Sequence, residues 1–162
     1  LWPVELAPWA ITQFRLGGKV ILPMPVGNVD DAGLLPNRQF SLWPYTQIND
    51  PRLKLDDQFI LFQADALLPP FKMGYFNPHG WMAYWVGGVL FRKTFEVHSG
   101  VSHPDNNSNA EMYCNDKFVE LESLAPLKIL NPGASITHLE TWDIFYGLDS
   151  LPKEIYELLS AP

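Results

Sequence analysis

Prolines occur along the whole chain and set the strongest limit on its fold. There are 15 of them in 162 residues, and a proline inside a helix removes a hydrogen bond and clashes with the preceding turn. Long helices are therefore excluded from most of the sequence. Short apolar runs lie between the prolines and are bounded by Gly, Asn, Asp and Ser, which is the pattern of strands and turns.

Short strands at this spacing predict an all-β antiparallel sandwich, and the length suits one domain over residues 1–162. The predicted strands are residues 1–14 (interrupted at Pro8), 19–22, 38–45, 58–64, and a hairpin of 81–86 and 88–95 divided by Gly87-Gly88. Residues 53–57 are predicted as a turn. The tail at about residues 151–160 is the one stretch with a helical pattern.

Residues 118–145 carry the strongest candidate for chemistry. Glu120 and Glu122 are two apart in a strand-like run, so both carboxylates are expected on one face of a sheet. Asn131-Pro132-Gly133 then predicts a turn into a second strand at residues 135–142. Two carboxylates side by side would not flank a scissile bond, so a glycosidase that uses this pair alone is not favoured.

Charge and composition restrict the partners. The net charge is −7 with only 11 Lys and Arg, which argues against a nucleic-acid ligand. No apolar run reaches the roughly 18 residues of a membrane span, so no membrane partner is predicted. A single cysteine, Cys114, leaves the redox compartment open. The abrupt strand-like start is typical of a fragment or a mature C-terminal portion, so a periplasmic or secreted location is left open.

Other site classes have weaker signals. The four histidines lack the tight spacing of common metal sites, although His98, His103 and Asp105 could form a small cluster in a metal-dependent jelly-roll enzyme. A Ser-His-Asp arrangement is left open, but the G-x-S-x-G elbow is missing. The glycine pairs lack the spacing and the following helix that phosphate binding needs, so no cofactor is predicted.

Several motifs together resemble a known family. They are an acidic Glu-Leu-Glu strand at 120–122, Ser123 with Pro126, the Pro132-Gly133 turn, and a final Glu140-x-Trp142. In this order they resemble an uncharacterised bacterial family related to the aldose 1-epimerases, the galactose mutarotase-like proteins. The resemblance extends over about residues 1–145. It implies a β-supersandwich with a carbohydrate-binding concave face, of which this chain would be the C-terminal part.

The same resemblance implies roles for single residues. Mutarotases use a glutamate on a late strand as the base for the anomeric hydroxyl, and Leu121-Glu122-Ser123 is similar to that context, with Ser123 in place of a proline. Residues 3–9 resemble the strand that carries the family's catalytic histidine, but Trp9 stands at that position. Tryptophan cannot transfer that proton, so the resemblance does not imply the complete mutarotase mechanism for this chain.

We therefore expect a carbohydrate-active protein that uses carboxylate acid/base chemistry, with a non-catalytic sugar-binding module as the alternative. Glu122 is the expected base, assisted by Glu120, Lys72 or His103. Tryptophans offer flat faces for sugar stacking, and charged side chains can bind hydroxyl or carboxylate groups. The expected substrate-binding residues are Trp9, Arg38, Trp43, Lys72, Asp105 and Trp142. An exposed sheet edge would favour a homo-oligomer.

Overall fold

The computed structural model describes residues 2–25, 29–150 and 159. These residues form an antiparallel all-β sandwich, which confirms the predicted fold class. The predicted helical tail at 151–160 lies outside the described residues except for Leu159, whose side chain is fully buried. Within the described part of the chain, no helix has both the length and the apolar character needed to cross a membrane.

The strands of the described residues are numbered here in chain order. They are β1 (Val4–Leu6), β2 (Trp9–Arg15), β3 (Lys19–Pro23), β4 (Ser41–Leu42), β5 (Leu53–Leu55), β6 (Phe59–Gln63), β7 (Phe71–Tyr75), β8 (Trp81–Val86), β9 (Val89–Phe95), β10 (Ala110–Cys114), β11 (Phe118–Leu124), β12 (Lys128–Leu130) and β13 (Glu140–Phe145). One further element, Pro104–Asn107, is a single turn in which Asp105, Asn106 and Asn107 have φ of 49°, 58° and 68°. We call it the left-handed turn.

Two large sheets and one strand pair make up the fold. The front sheet has the order β2-β11-β10-β7-β4, and the back sheet has the order β13-β9-β8-β3-β6-β5. Strands β1 and β12 form a separate antiparallel pair. The front sheet therefore ends in β2 and β4, and the back sheet ends in β13 and β5. Association through one of these edges stays a prediction.

The core lies between the front and back sheets and follows from the alternation of side chains along strands. On β11, Val119 and Leu121 point inward and are fully buried, together with Met112 of β10 and Met73 of β7. The back sheet contributes residues such as Tyr84 to the same cluster. Because every second residue of the front sheet is committed to this core, the residues between them face outward.

The central strands of the back sheet, β3, β6 and β8, are largely buried on both faces. Besides the shared core, its strands pack a second cluster that includes Ile21, Phe59, Trp81 and Leu90, with Leu159 fully buried against it. Strands buried on both faces need no polar alternation, which explains the continuous apolar run of β6. The predicted strands at 19–22 and 58–64 belong to this sheet and are confirmed.

The predicted hairpin is also confirmed. Strands β8 and β9 pair from Trp81↔Thr94 to Val86↔Val89. Gly87 and Gly88 between them have φ of 58° and 78°, which is the left-handed backbone that such a turn requires and that glycine adopts without steric cost. The interruption of the first strand at Pro8 is likewise observed, between β1 and β2.

Three predicted elements are corrected by the structure. Residues 53–57 were expected to form a turn but contain β5, and the strand expected over 38–45 is limited to Ser41–Leu42. The strand expected over 135–142 begins only at Glu140 and pairs with β9 of the back sheet. The Pro132-Gly133 turn therefore does not close a hairpin with β11. It lies between β12 of the separate strand pair and β13 of the back sheet.

A buried lysine joins the two sheets where β9 passes β11. Lys93 Nζ donates to the carbonyl oxygen of Leu121 at 2.8 Å and to Glu140 Oε1 at 2.7 Å, and its side chain is fully buried. The hydroxyl of Ser123 donates to the same Glu140 carboxylate and lies 2.7 Å from Nε2 of His138. Burial alone would raise the pKa of Glu140, but the hydrogen bonds from Lys93 and Ser123 outweigh it and lower that pKa.

Replacing Lys93 with methionine should lower the free energy of unfolding by about 3 kcal/mol, because it leaves the Glu140 carboxylate without its ammonium partner. Chemical denaturation followed by circular dichroism measures the change. Lys54→Met, at an exposed position of β5, is the matched control and should change little. The double variant K93M/E140Q should recover part of the loss. Equal stability of K93M and the wild type would contradict this role of Lys93.

Candidate functional site

The outer face of the front sheet carries the candidate site. Leu121 of β11 points into the core, so its neighbours Glu120 and Glu122 share the opposite face, as the spacing predicts. Glu111 of β10 lies directly opposite Glu122 in the register of β10 and β11. Directly opposite residues on antiparallel strands are close neighbours. Pairing of the strands thus brings a second glutamate to Glu122.

A lysine lies between these two glutamates. Lys72 Nζ is 2.7 Å from Glu111 Oε2 and 2.9 Å from Glu122 Oε2. Both glutamate side chains are only 1% exposed, and that of Lys72 is 11% exposed. We call these three residues the Lys72 triad. An ammonium group has three hydrogens to donate, so two carboxylate partners leave the third hydrogen for a group on the exposed side.

Gly74 provides the space for this arrangement. It is opposite Glu111 in the pairing of β7 with β10. A Cβ at Gly74 would lie 2.8 Å from Ser108 Oγ and 3.0 Å from Glu111 Cγ, which is closer than side-chain atoms normally approach. The glycine two residues after Lys72 therefore leaves the space that the Glu111 side chain occupies.

Two tryptophans flank the lysine. The indole Nε1 of Trp9 donates to Glu122 Oε2 at 2.8 Å, so one carboxylate oxygen holds both Trp9 and Lys72. Lys72 Nζ lies 5.2 Å from the ring centroid of Trp9 and 4.6 Å from that of Trp43, within the range of cation–π attraction. Thr46 fixes the Trp43 segment to β7, since its hydroxyl donates to the carbonyl oxygen of Lys72 at 2.6 Å.

These residues surround an open hollow with a volume of about 320 Å³. We call it the tryptophan hollow. Its lining consists of Ala7, Trp9, Trp43, Lys72, Pro104, Asp105, Leu124 and Leu127. The size falls within the roughly 300–1,000 Å³ of small-molecule sites, which also combine apolar walls with a few polar groups. Glu111 and Glu122 lie behind Lys72 and do not line the hollow.

The charges of the triad are coupled. Burial raises the pKa of Glu111 to about 8, which exceeds the lowering effect of Lys72 and is reinforced by the nearby carboxyls of Glu122 and Asp105. For Lys72, burial lowers the pKa, but the two glutamates outweigh it and the net shift is upward. The lysine therefore keeps its charge at neutral pH, while Glu111 binds a proton more readily than an exposed glutamate does.

The structure brings together five of the residues singled out in the sequence. Trp9, Trp43, Lys72 and Asp105 line the tryptophan hollow, and Glu122 contacts two of them. These contacts place the residues side by side, and their roles stay predictions.

Two further predicted residues lie beside the hollow. Glu120 is on the same face but outside the lining, where its Oε1 accepts a 3.1 Å hydrogen bond from Gln13. Burial raises the pKa of Glu120. His103 is buried against the ring of Phe76, with centroids 5.6 Å apart, and lines a separate hollow. Burial lowers the pKa of His103.

The structure does not bring Arg38 or Trp142 to this site. Arg38 is exposed, and its Nη2 atom lies 3.9 Å from Oδ1 of Asp57. Trp142 belongs to β13 of the back sheet, where its indole nitrogen donates to Glu140 Oε2 at 3.1 Å. Neither residue lines the tryptophan hollow, and a binding role for them stays a prediction.

Glu111 is the member of the site that the sequence analysis missed. It lies in β10, where apolar residues alternate with Glu111 and Tyr113. That alternation was a usable signal for a strand with one polar face. The partner of Glu111 could not be found in this way, because Lys72 is 39 positions earlier in the chain and meets it only through the pairing of β7 with β10.

Other site classes receive no support from the described residues. Among residues 2–25, 29–150 and 159, no group of three His, Cys, Asp or Glu side chains could hold a metal ion. Ser123 and His138 are in contact, but Ser123 is fully buried and also bonded to Glu140. Burial raises the pKa of the enclosed Cys114 thiol to about 11, which is unsuited to a nucleophile.

Comparison of the chain with protein-family models, with curated proteins and with solved structures finds no match. The resemblance to the mutarotase-like family thus stays a prediction that rests on the motifs alone.

Replacing Glu111 with glutamine should change how stability depends on pH. The folded pKa of Glu111 is about 8 and lies above the unfolded value of about 4.5, so the folded state binds more protons between these values. Wild-type stability should therefore fall as pH rises from about 5 to 8, by on the order of 1–3 kcal/mol from this group. E111Q should remove that fall. Urea denaturation at pH 5, 6.5 and 8 tests this, and identical pH profiles would contradict it.

Proposed function

We propose that the tryptophan hollow binds a neutral carbohydrate. The observation that carries the proposal is the combination of two indole rings with a lysine whose third hydrogen is uncommitted, all at one hollow. Sugar rings have apolar C–H faces and polar edges, so they fit a site with aromatic walls and a few hydrogen-bonding groups. Trp9 is 55% exposed, which leaves its ring face accessible for stacking.

A neutral ligand fits the charges better than an acidic one. Lys72 is the cation of the hollow, but two glutamates lie directly behind it and Asp105 lies on the rim. The whole chain carries a net charge of −7, which repels anions at long range. A hydroxyl group can accept a hydrogen bond from Lys72 and donate one to Asp105, and therefore uses both polar groups of the lining.

The triad also prepares the site before the ligand enters. Lysine side chains are flexible, and ordering one on binding costs about 0.5–1.5 kcal/mol. In this protein two carboxylates already hold the Lys72 ammonium, and the Glu122 carboxylate also orients Trp9. A ligand therefore meets a donor and a stacking surface whose positions are set by the fold.

Acid/base catalysis on the bound sugar is the second candidate function. It is supported by the pKa of Glu111 at about 8, since proton transfer is most efficient when the pKa of the group is near the working pH. Glu111 does not line the hollow, but Asp105, whose carboxyl contributes to the raised pKa of Glu111, does, so this candidate function requires Asp105 to relay the proton to the ligand. Both glutamates hold the same lysine, so they are on one side of the hollow. This favours an epimerase-like reaction over cleavage between flanking carboxylates.

Removing either tryptophan ring should weaken sugar binding about tenfold, or about 1.4 kcal/mol. A thermal-shift screen of mono- and oligosaccharides identifies the ligand, and calorimetry then compares Trp9→Ala and Trp43→Ala with the wild type. Trp2→Ala is the control, because Trp2 is 88% exposed and outside the hollow, and it should bind like the wild type. If no sugar stabilises the protein, or if all three variants bind equally, the proposed site is wrong.

The Glu111→Gln variant distinguishes an enzyme from a protein that only binds the sugar. For an epimerase-like enzyme we expect proton NMR to show faster anomeric exchange of the bound sugar in wild type. In E111Q the exchange rate should be at least 100-fold lower, which is the usual contribution of a general acid. Its affinity for the sugar should equal that of the wild type. Sugar binding with no acceleration over buffer by the wild-type protein would leave the non-catalytic module as the function.

A further inference from the structure

Two more hollows continue from the tryptophan hollow. The second, of about 200 Å³, shares Trp43 and Asp105 with the tryptophan hollow and also includes Asn106. The third, of about 670 Å³, shares Asn106 with the second. Because neighbouring hollows share these lining residues, we infer that the three form one groove, which starts at Trp9 and passes over the left-handed turn. We call the third hollow, with Gln39, Phe76, His103, Asn106 and Asn107, the amide hollow.

The chemistry of the amide hollow suits hydroxyl groups. Gln39, Asn106 and Asn107 carry side-chain amides, each of which has both donor and acceptor atoms. The residues that line it include no lysine, arginine or carboxylate, and burial lowers the pKa of the one imidazole, that of His103. Phe76 adds an aromatic surface. A neutral ligand with many hydroxyl groups matches this lining.

The left-handed turn holds the middle of the groove in one shape. The carbonyl oxygen of Asp105 accepts hydrogen bonds from Ser41 Oγ at 2.9 Å and from Ser108 Oγ at 2.8 Å. The amide nitrogen of His103 donates to Asn107 Oδ1 at 3.0 Å. The turn is thus tied to β4 and to the start of β10, while Asp105 and Asn106 stay exposed. Three successive non-glycine residues in left-handed backbone store strain of the kind found at ligand sites.

We propose that the natural ligand is an oligosaccharide of neutral sugars that occupies the whole groove. This inference rests on the proposed function of the tryptophan hollow. One sugar ring packs against Trp9 and Trp43 beside Lys72, and the chain continues past Asp105 and Asn106. Its far end lies among Gln39, Asn107 and Phe76. Each additional ring that enters the groove adds contacts, so affinity rises with chain length until the amide hollow is full.

A chain-length series tests this proposal. The probes are the monosaccharides to hexasaccharides of the β-1,4-glucose, α-1,4-glucose, β-1,4-mannose and β-1,4-galactose series, measured by calorimetry. In at least one series we expect the hexasaccharide to bind at least tenfold more tightly than the monosaccharide. Equal affinity for all lengths in every series that binds would overturn the inference and leave the proposed function standing. Lack of binding by every sugar would overturn both.

Two variants test whether the amide hollow accounts for the higher affinity of longer oligosaccharides. Gln39→Ala removes an exposed amide, and Asn106→Gly removes another while keeping the backbone at φ 58°, which glycine adopts freely. Each should reduce the hexasaccharide-to-monosaccharide affinity ratio at least threefold. Gln58→Ala, an exposed position on the back sheet side, is the matched control and should preserve the ratio. An unchanged ratio in both groove variants would show that the chain does not reach the amide hollow.

Discussion

The ion pairs of Lys72 with Glu111 and Glu122 depend on the register of three neighbouring strands. Glu111 meets Glu122 because β10 and β11 pair at that position, and Lys72 reaches both because β7 pairs with the other side of β10. A slip of one residue in either pairing would turn these side chains into the core. Burying charged and polar groups is costly unless they are paired, so the contacts of Lys72 with both glutamates also favour the observed register over alternatives.

Two buried lysines lie on opposite sides of the front sheet. They show how the number of neighbouring carboxylates determines whether the pKa of a buried lysine rises or falls. Lys93, on the core side, has one carboxylate partner, and burial lowers its pKa despite Glu140. Lys72, on the outer side, has two carboxylates that outweigh the effect of burial, and its pKa is raised. Lys93 therefore links the sheets inside the sandwich. Lys72 stays a firmly charged donor at a surface where a ligand can reach it.

The groove combines a rigid floor with walls supplied by connecting segments. The floor is β7 and β11 of the front sheet, whose inner residues are fixed by the core. Trp43 and the left-handed turn come from the loops next to β4 and β10, and hydrogen bonds from Thr46, Ser41 and Ser108 anchor them. Side chains on anchored loops keep their spacing, which is what the proposed recognition of a chain of linked sugar rings requires.

The sequence by itself determined the class of fold and several members of the site. Prolines excluded long helices, alternation located β11 and placed Glu120 and Glu122 on one face, and Gly87-Gly88 marked a hairpin. These features are local, because propensity and alternation act over a few residues. Only the tertiary structure decided that Glu111 joins the site and that Trp142 belongs to the other sheet. It also decided that Pro132-Gly133 leads from β12 to the back sheet and does not close a hairpin with β11. Such outcomes depend on which strands pair across long stretches of chain, and that choice is made by the packing of the whole core.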